Sequence, residues 1–116
     1  MTKLEKLAQD FSNNVIAQTD AIRLGNSKNG NKYAKNYIRV FKVLQSYGNE
    51  GREALVPLMW NSREDVRGMA ASFLLKYRQE EALTVLQELA KGEGLVAFSA
   101  QETLKRWKEG TWQLDS

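Results

Sequence analysis

Neither cysteine nor histidine occurs among the 116 residues of the chain. Without cysteine there is no disulfide and no thiolate nucleophile, and the redox compartment is unconstrained. Without histidine the commonest metal ligand is missing, and so is the one side chain whose unperturbed charge changes near neutral pH. Proline occurs once, at Pro57. No segment approaches the ~20 apolar residues that cross a bilayer. The opening stretch, Met1-Thr-Lys-Leu-Glu-Lys-Leu, carries charges in place of the apolar run of a signal peptide. The reading is a cytoplasmic protein with no membrane association, no metal and no cofactor.

What is present is ordinary for a soluble globular domain, with 42% apolar and 27% charged residues. The length suits one domain over residues 1–116 with a single core. A net charge of +3 conceals an asymmetry, because residues 1–50 carry +4 and residues 51–116 carry −1. That is a weak footprint for nucleic acid, which calls for a sustained basic surface.

The most informative pattern is a triplet repeated at a spacing of 30 residues. Val40, Leu44 and Tyr47 recur as Ala70, Leu74 and Tyr77, then as Ala100, Leu104 and Trp107. Offsets of 0, 4 and 7 put each triplet on one face of an α-helix. A helical stripe at a fixed period predicts stacked helical hairpins, each burying its apolar face on the next.

Local signals divide the chain into six helices. Thr2-Lys-Leu-Glu5 has the form of a capping box and starts the first, whose stripe is Leu4, Leu7, Phe11, Val15 and Ile22. Ser12-Asn13-Asn14 is a weak patch within it, and Gly25 is a left-handed stop. Asn26 to Asn31 is a polar loop in which Asn29-Gly30 tolerates positive φ, and the second helix runs on to Tyr47. The third covers Glu50 to Trp60, with Pro57 kinking it or delaying its start. The fourth reaches Tyr77, the fifth spans Gln79 to Ala90, and the sixth spans Leu95 to Glu109 before Gly110. No alternating strand pattern occurs. The expected fold is all-α, an α-α superhelix of three antiparallel hairpins at about 3–47, 50–77 and 79–109.

Ala54-Leu-Val-Pro-Leu-Met, a polar turn, and Asp65-Val66-Arg67-Gly-Met-Ala70-Ala71-Ser-Phe-Leu74 together resemble a HEAT repeat of the short type. Residues 82–107 share only its apolar skeleton, without a Val-Arg pair, and residues 3–47 share it only through the second helix. The whole chain is similar to a family of short bacterial HEAT-like proteins without assigned biochemistry, some of them found beside secreted toxins. The resemblance implies a HEAT-like solenoid acting as a non-enzymatic protein-binding scaffold. It also implies that Arg67 is a structural arginine paired with an acid of a neighbouring repeat.

Catalytic constellations are weak. Gly25-Asn-Ser-Lys-Asn-Gly30-Asn31-Lys32 misses the phosphate-binding loop, because Asn31 stands where lysine must reach the phosphates and a helix precedes it. Glu64-Asp65 and Glu80-Glu81 lie in first helical turns, where the helix dipole accounts for them. No convergent acid marks an enzyme in the style of the HEAT-like lyases or glycosylases. Trp107 belongs to the core column, and Trp112 folds back over the last hairpin as a cap. Trp60, beside a polar turn, is either edge-of-core packing or an exposed anchor, with packing the favoured alternative.

Lys28, Lys32, Lys35, Arg39 and Lys42 fall on one strip of the second helix, opposite Tyr33, Tyr37, Val40 and Leu44. No Asp or Glu occurs from Ser27 to Tyr47, so the strip repels itself. It is either a solvated outer face or a surface met by an anionic partner. Following the columns by 30 residues, Lys35 leads to Asp65 and Leu95, Arg39 to Met69 and Ser99, and Lys42 to Ser72 and Glu102. A nucleic-acid groove keeps its cations across repeats, whereas a protein partner calls for mixed charge. The expectation is therefore a protein-binding module, monomeric when free and not an enzyme, that binds through Lys35, Arg39, Lys42, Trp60, Met69, Ser72 and Glu102. The leading candidate is an immunity or antitoxin-like inhibitor of a cognate bacterial toxin domain. Polyanion or nucleic-acid binding through the lysine strip is the alternative.

Overall fold

The computed structural model of the chain describes residues 1–112. Among them are six α-helices, α1 (Lys3–Arg23), α2 (Ser27–Ser46), α3 (Asn49–Glu53), α4 (Glu64–Leu74), α5 (Gln79–Ala90) and α6 (Leu95–Glu109), with a 3-10 helix at Val56–Trp60. No strand occurs among the described residues. The chain divides into two compact units, Met1–Leu58 and Met59–Ser116.

The first unit is built on the α1–α2 pair. Thr2 and Glu5 close the capping box that the sequence predicts, each satisfying the other's backbone amide at 3.0–3.1 Å. α1 is continuous through Ser12-Asn13-Asn14. It ends where Gly25 takes a φ of 78° and the amides of Gly25 and Asn26 bond back to Ile22 and Ala21. That double bond is the Schellman stop, and it needs a residue tolerant of positive φ.

The expected loop from Asn26 to Asn31 is instead the first turn of α2. Asn26 serves as its N-cap, accepting from the Asn29 amide at 3.1 Å. Gly30 is glycine because α1 passes close by, and a β-carbon there would sit 3.2 Å from Ile22 Cγ1. Contacts run in opposite senses along the two helices: Gly30 meets Ile22, Asn36 bonds Asn14, and Lys3 lies 5.6 Å from the Tyr47 ring centre. The pair is therefore an antiparallel hairpin. Phe11, Val15, Tyr37, Phe41 and Leu44 are buried, with Phe11 and Tyr37 edge to face at 5.7 Å. Ile22, predicted in the stripe, is 41% exposed near the C-terminal end of α1.

α3 packs on α2. The predicted single helix from Glu50 to Trp60 is broken because Pro57 has no amide to donate and its ring clashes with the carbonyl four residues earlier. That residue is Glu53, where α3 stops.

The second unit is a three-helix arrangement in which α5 packs against both α4 and α6, and α4 also meets α6. Gly68 lets α5 and α6 close on α4, its notional β-carbon lying 3.1 Å from Leu89 Cδ1 and 3.8 Å from Val96 Cγ1. The α4–α6 contact is marked by Ser72 Oγ and Thr103 Oγ1 at 3.5 Å. Gln101 Nε2 ties α6 to the Ala90 carbonyl at 2.8 Å. α5 and α6 have the bounds the sequence predicts, and Gly110 stops α6 with a φ of 77°. α4 stops at Leu74, short of Tyr77, and the Leu74 carbonyl accepts from the amides of both Tyr77 and Arg78.

The repeated triplets divide by position. Leu44, Leu74, Ala70 and Ala100 are buried, while Val40 and Leu104 are half-buried. The third members depart from the expected core column: Tyr47 and Tyr77 are each 39% exposed, and Trp107 is half-buried. A triplet spans two helical turns, so its last residue falls at the helix end, where the ring reaches the rim.

Candidate partner-binding surfaces

The cationic strip lies on α2 in the first unit. Lys28, Lys32, Lys35, Arg39 and Lys42 are all exposed, and Tyr37 and Leu44 opposite them are buried. Among the described residues none of the five forms an ion pair. Lys28 sits in the first turn of α2, where the helix dipole disfavours a cation. Arg39 is held in place: its Nη2 donates to Asn36 Oδ1 at 3.1 Å, and Asn36 Nδ2 donates to Asn14 Oδ1 on α1 at 3.2 Å. The strip thus combines mutual repulsion with one oriented guanidinium.

In the second unit the residues expected on the same surface separate. Met69 and Glu102 are half-buried. Ser72 is only 6% exposed, and this corrects its assignment as a partner-binding residue. Its hydroxyl donates to the Gly68 carbonyl at 2.8 Å, and α6 covers it through Thr103. Asp65 is likewise interior: Arg63 grips its carboxylate through Nε and Nη2, both at 3.0 Å, and the Val66 amide donates to it. With Asp65 and Ser72 inside, the columns carried forward from Lys35 and Lys42 do not continue as accessible surface.

Arg67 is structural, but with a different partner from the one the HEAT resemblance implies. Its Nη1 donates to the main-chain carbonyls of Asn61 and Ser62 at 2.8 and 3.2 Å, closing the turn before α4.

Trp60 resolves toward exposure, with 60% of its surface open. It borders an open cleft of about 470 Å³ lying wholly within the second unit. Met59, Leu89 and Ala97 supply apolar lining. Glu64 from α4, Glu88 from α5 and Glu93 from the α5–α6 turn supply carboxylates, and Arg67 is the one cation on the wall. Glu88 has a loose, exposed contact with Lys91 at 3.4 Å. Glu64 and Glu93 form no ion pair among the described residues. No group of three or more acidic side chains among the described residues is placed to hold a metal ion. Nor is any described helix long and apolar enough to cross a membrane.

Spacing did not reveal this cleft, because its walls come from the 3-10 helix, three α-helices and a turn. The available signal was Trp60, a large apolar ring beside a polar turn.

No protein-family model and no curated protein matches the chain. The fold is similar to that in a crystal structure of the protein RPA1889 from Rhodopseudomonas palustris CGA009. The TM-score is 0.89 at 20% identity, over 97% of this chain and 94% of that one. The likeness establishes a shared helical fold.

Proposed function

We propose that the chain is a non-enzymatic, cytoplasmic protein-binding module, monomeric when free, of HEAT-like stacked hairpins. In this reading it is an immunity or antitoxin-like inhibitor that covers a cognate bacterial toxin domain. The observation that carries it is the strip of five exposed α2 cations without an ion pair. Such a strip costs the free protein stability, so a complementary partner surface is its natural explanation. The stacking is supported by the α1–α2 hairpin and by the Ser72–Thr103 contact, which brings two second helices of the repeat together.

The chain exposes both signs of charge, cations on α2 and carboxylates around the Trp60 cleft, and mixed charge suits a protein partner better than a polyphosphate. The test is to mix the purified full chain with purified products of neighbouring genes and assay size-exclusion profile and partner activity. One such product is expected to form a stoichiometric complex, lose its activity, and be released by the triple variant K35E/R39E/K42E. Failure of every neighbouring product to bind rejects the inhibitor reading.

The alternative, a polyanion on the same strip, draws on the absence of any carboxylate between Ser27 and Tyr47. It predicts binding of a labelled oligonucleotide whose affinity falls steeply with salt. A flat salt dependence removes it.

A further inference from the structure

We propose that the cleft beside Trp60 seats an arginine side chain presented by a partner's peptide segment. This rests on the reading of the chain as a protein-binding module and assigns it a second contact, chemically opposite to the α2 strip.

Three features converge. First, Trp60 is 60% exposed and borders the cleft, and exposing so large a side chain is costly unless something covers it. A planar guanidinium stacks on an indole face more favourably than any other charged side chain. Second, the wall carries Glu64, Glu88 and Glu93 against Arg67, and with Glu88 in contact with Lys91 at 3.4 Å it is Glu64 and Glu93 that leave negative charge open in a concave site. Arg67 does not neutralise them by pairing, because its Nη1 is committed to the carbonyls of Asn61 and Ser62. Third, the volume of about 470 Å³ lies within the ~300–1,000 Å³ typical of pockets that enclose a small ligand. That is room for one long side chain and its flanking backbone, lying on a floor of Val85 and the Trp60 ring, since Met59, Leu89 and Ala97 are themselves buried.

An acidic partner segment would meet like charge here. An apolar one would fill the floor but leave the carboxylates desolvated without partners. Arginine satisfies both parts of the site, with its methylenes on the floor and its fork toward the carboxylates. Glu64 and Glu93, which have no ion pair of their own, are the acceptors the geometry leaves open.

The test titrates the isotope-labelled full chain with acetyl-Gly-Ser-Arg-Ser-Gly-amide, followed by two-dimensional NMR of the indole N–H signals. Trp60 is assigned through the W60F variant. The control peptide carries citrulline, which keeps the shape of arginine and removes its charge. The arginine peptide is expected to shift the Trp60 signal saturably in the millimolar range typical of a single-side-chain contact. The citrulline peptide should bind at least about 5-fold more weakly, and E64Q/E93Q should weaken the arginine peptide by roughly 2- to 5-fold per carboxylate. Equal shifts with both peptides, or no saturable shift up to ~20 mM, overturn the assignment. The two readings also separate from each other. A flat titration with intact partner capture defeats the arginine site alone. A saturable titration with no captured partner supports the site and defeats the inhibitor reading.

Discussion

The indole Nε1 of Trp112 donates to the main-chain carbonyl of Ser72 at 3.2 Å. The last carbonyls of a helix have no partner within it, and α4 ends two residues later at Leu74. Gly110 makes the contact by turning the chain back after α6, where the amides of Thr111 and Trp112 both bond the Arg106 carbonyl. Replacing Trp112 with Phe keeps most of the ring and deletes the donor. The expected cost is about 1 kcal/mol, seen as a lower urea midpoint with unchanged slope. Trp112→Ala should cost more, because packing is lost too. An unchanged midpoint for both variants would show that the tail does not brace α4.

Gly51 and Gly68 make a paired test of why a glycine is needed. A β-carbon at Gly51 would overlap the carbonyl oxygen of Leu44 and come within 2.6 Å of its carbonyl carbon. Backbone cannot yield as a side-chain tip does, so Gly51→Ala should separate α3 from α2 and cost about 3 kcal/mol or more. At Gly68 the nearest atom is the tip of Leu89, at 3.1 Å, which can rotate aside. Gly68→Ala should therefore change stability by less than about 1 kcal/mol, with helix propensity partly offsetting the crowding. Thermal unfolding followed by circular dichroism ranks the two, and a reversed ranking refutes the argument.

The parts of the fold that could be read in the chain are those settled by local chemistry. Thr2 with Glu5, and the glycines at 25 and 110, act on backbone groups a few residues away, so their effect is written where they stand. Asn29-Gly30 misled because two explanations of a glycine, a turn or a close helix approach, look alike in sequence. Only the packing of α1 on α2 chooses the second. Ser72 misled for a related reason. A repeat read at every third or fourth residue assumes one buried stripe per helix, yet Ala70 through Leu75 are buried without a break. The α2 strip was legible because its cations stand opposite a clear apolar face. The cleft was not, because nothing in the spacing of Trp60, Glu64, Glu88 and Glu93 announces that the 3-10 helix, α4, α5 and the α5–α6 turn bring them to one place.

If the α2 cations serve a partner, they should be suboptimal for the free protein. Lys28 opposes the helix dipole, and Lys35 lies between Lys32 and Arg39 on the same strip. Lys28→Glu should stabilise the chain by about 0.3–1 kcal/mol at low ionic strength. Lys35→Glu gains a favourable i,i+4 pairing with Arg39, adding about 0.2–0.5 kcal/mol. Both gains should shrink in high salt, since the charges are exposed. Chemical denaturation of each variant at two salt concentrations provides the measurement. Destabilisation by either variant would mean that the lysines support the fold rather than a contact outside it.

Tyr37 supplies a pH dependence with a definite sign. Burial pushes its hydroxyl above the ordinary tyrosine value, and in its protonated form the hydroxyl donates to Gln18 Oε1 at 3.2 Å. The folded protein then holds this proton more tightly than the unfolded chain. Its contribution to stability is complete below the unfolded value of about 10 and is lost as pH rises through the higher folded value. Tyr37→Phe keeps the edge-to-face contact with Phe11 but removes both the titration and the bond to Gln18. The variant should be less stable by about 1 kcal/mol at neutral pH. Above pH about 10 its stability should fall less steeply than that of the parent, so that the two curves converge. Urea midpoints measured from pH about 7 to 11 test this directly. Parallel curves across that range would mean that Tyr37 ionises no less readily in the fold than in the open chain.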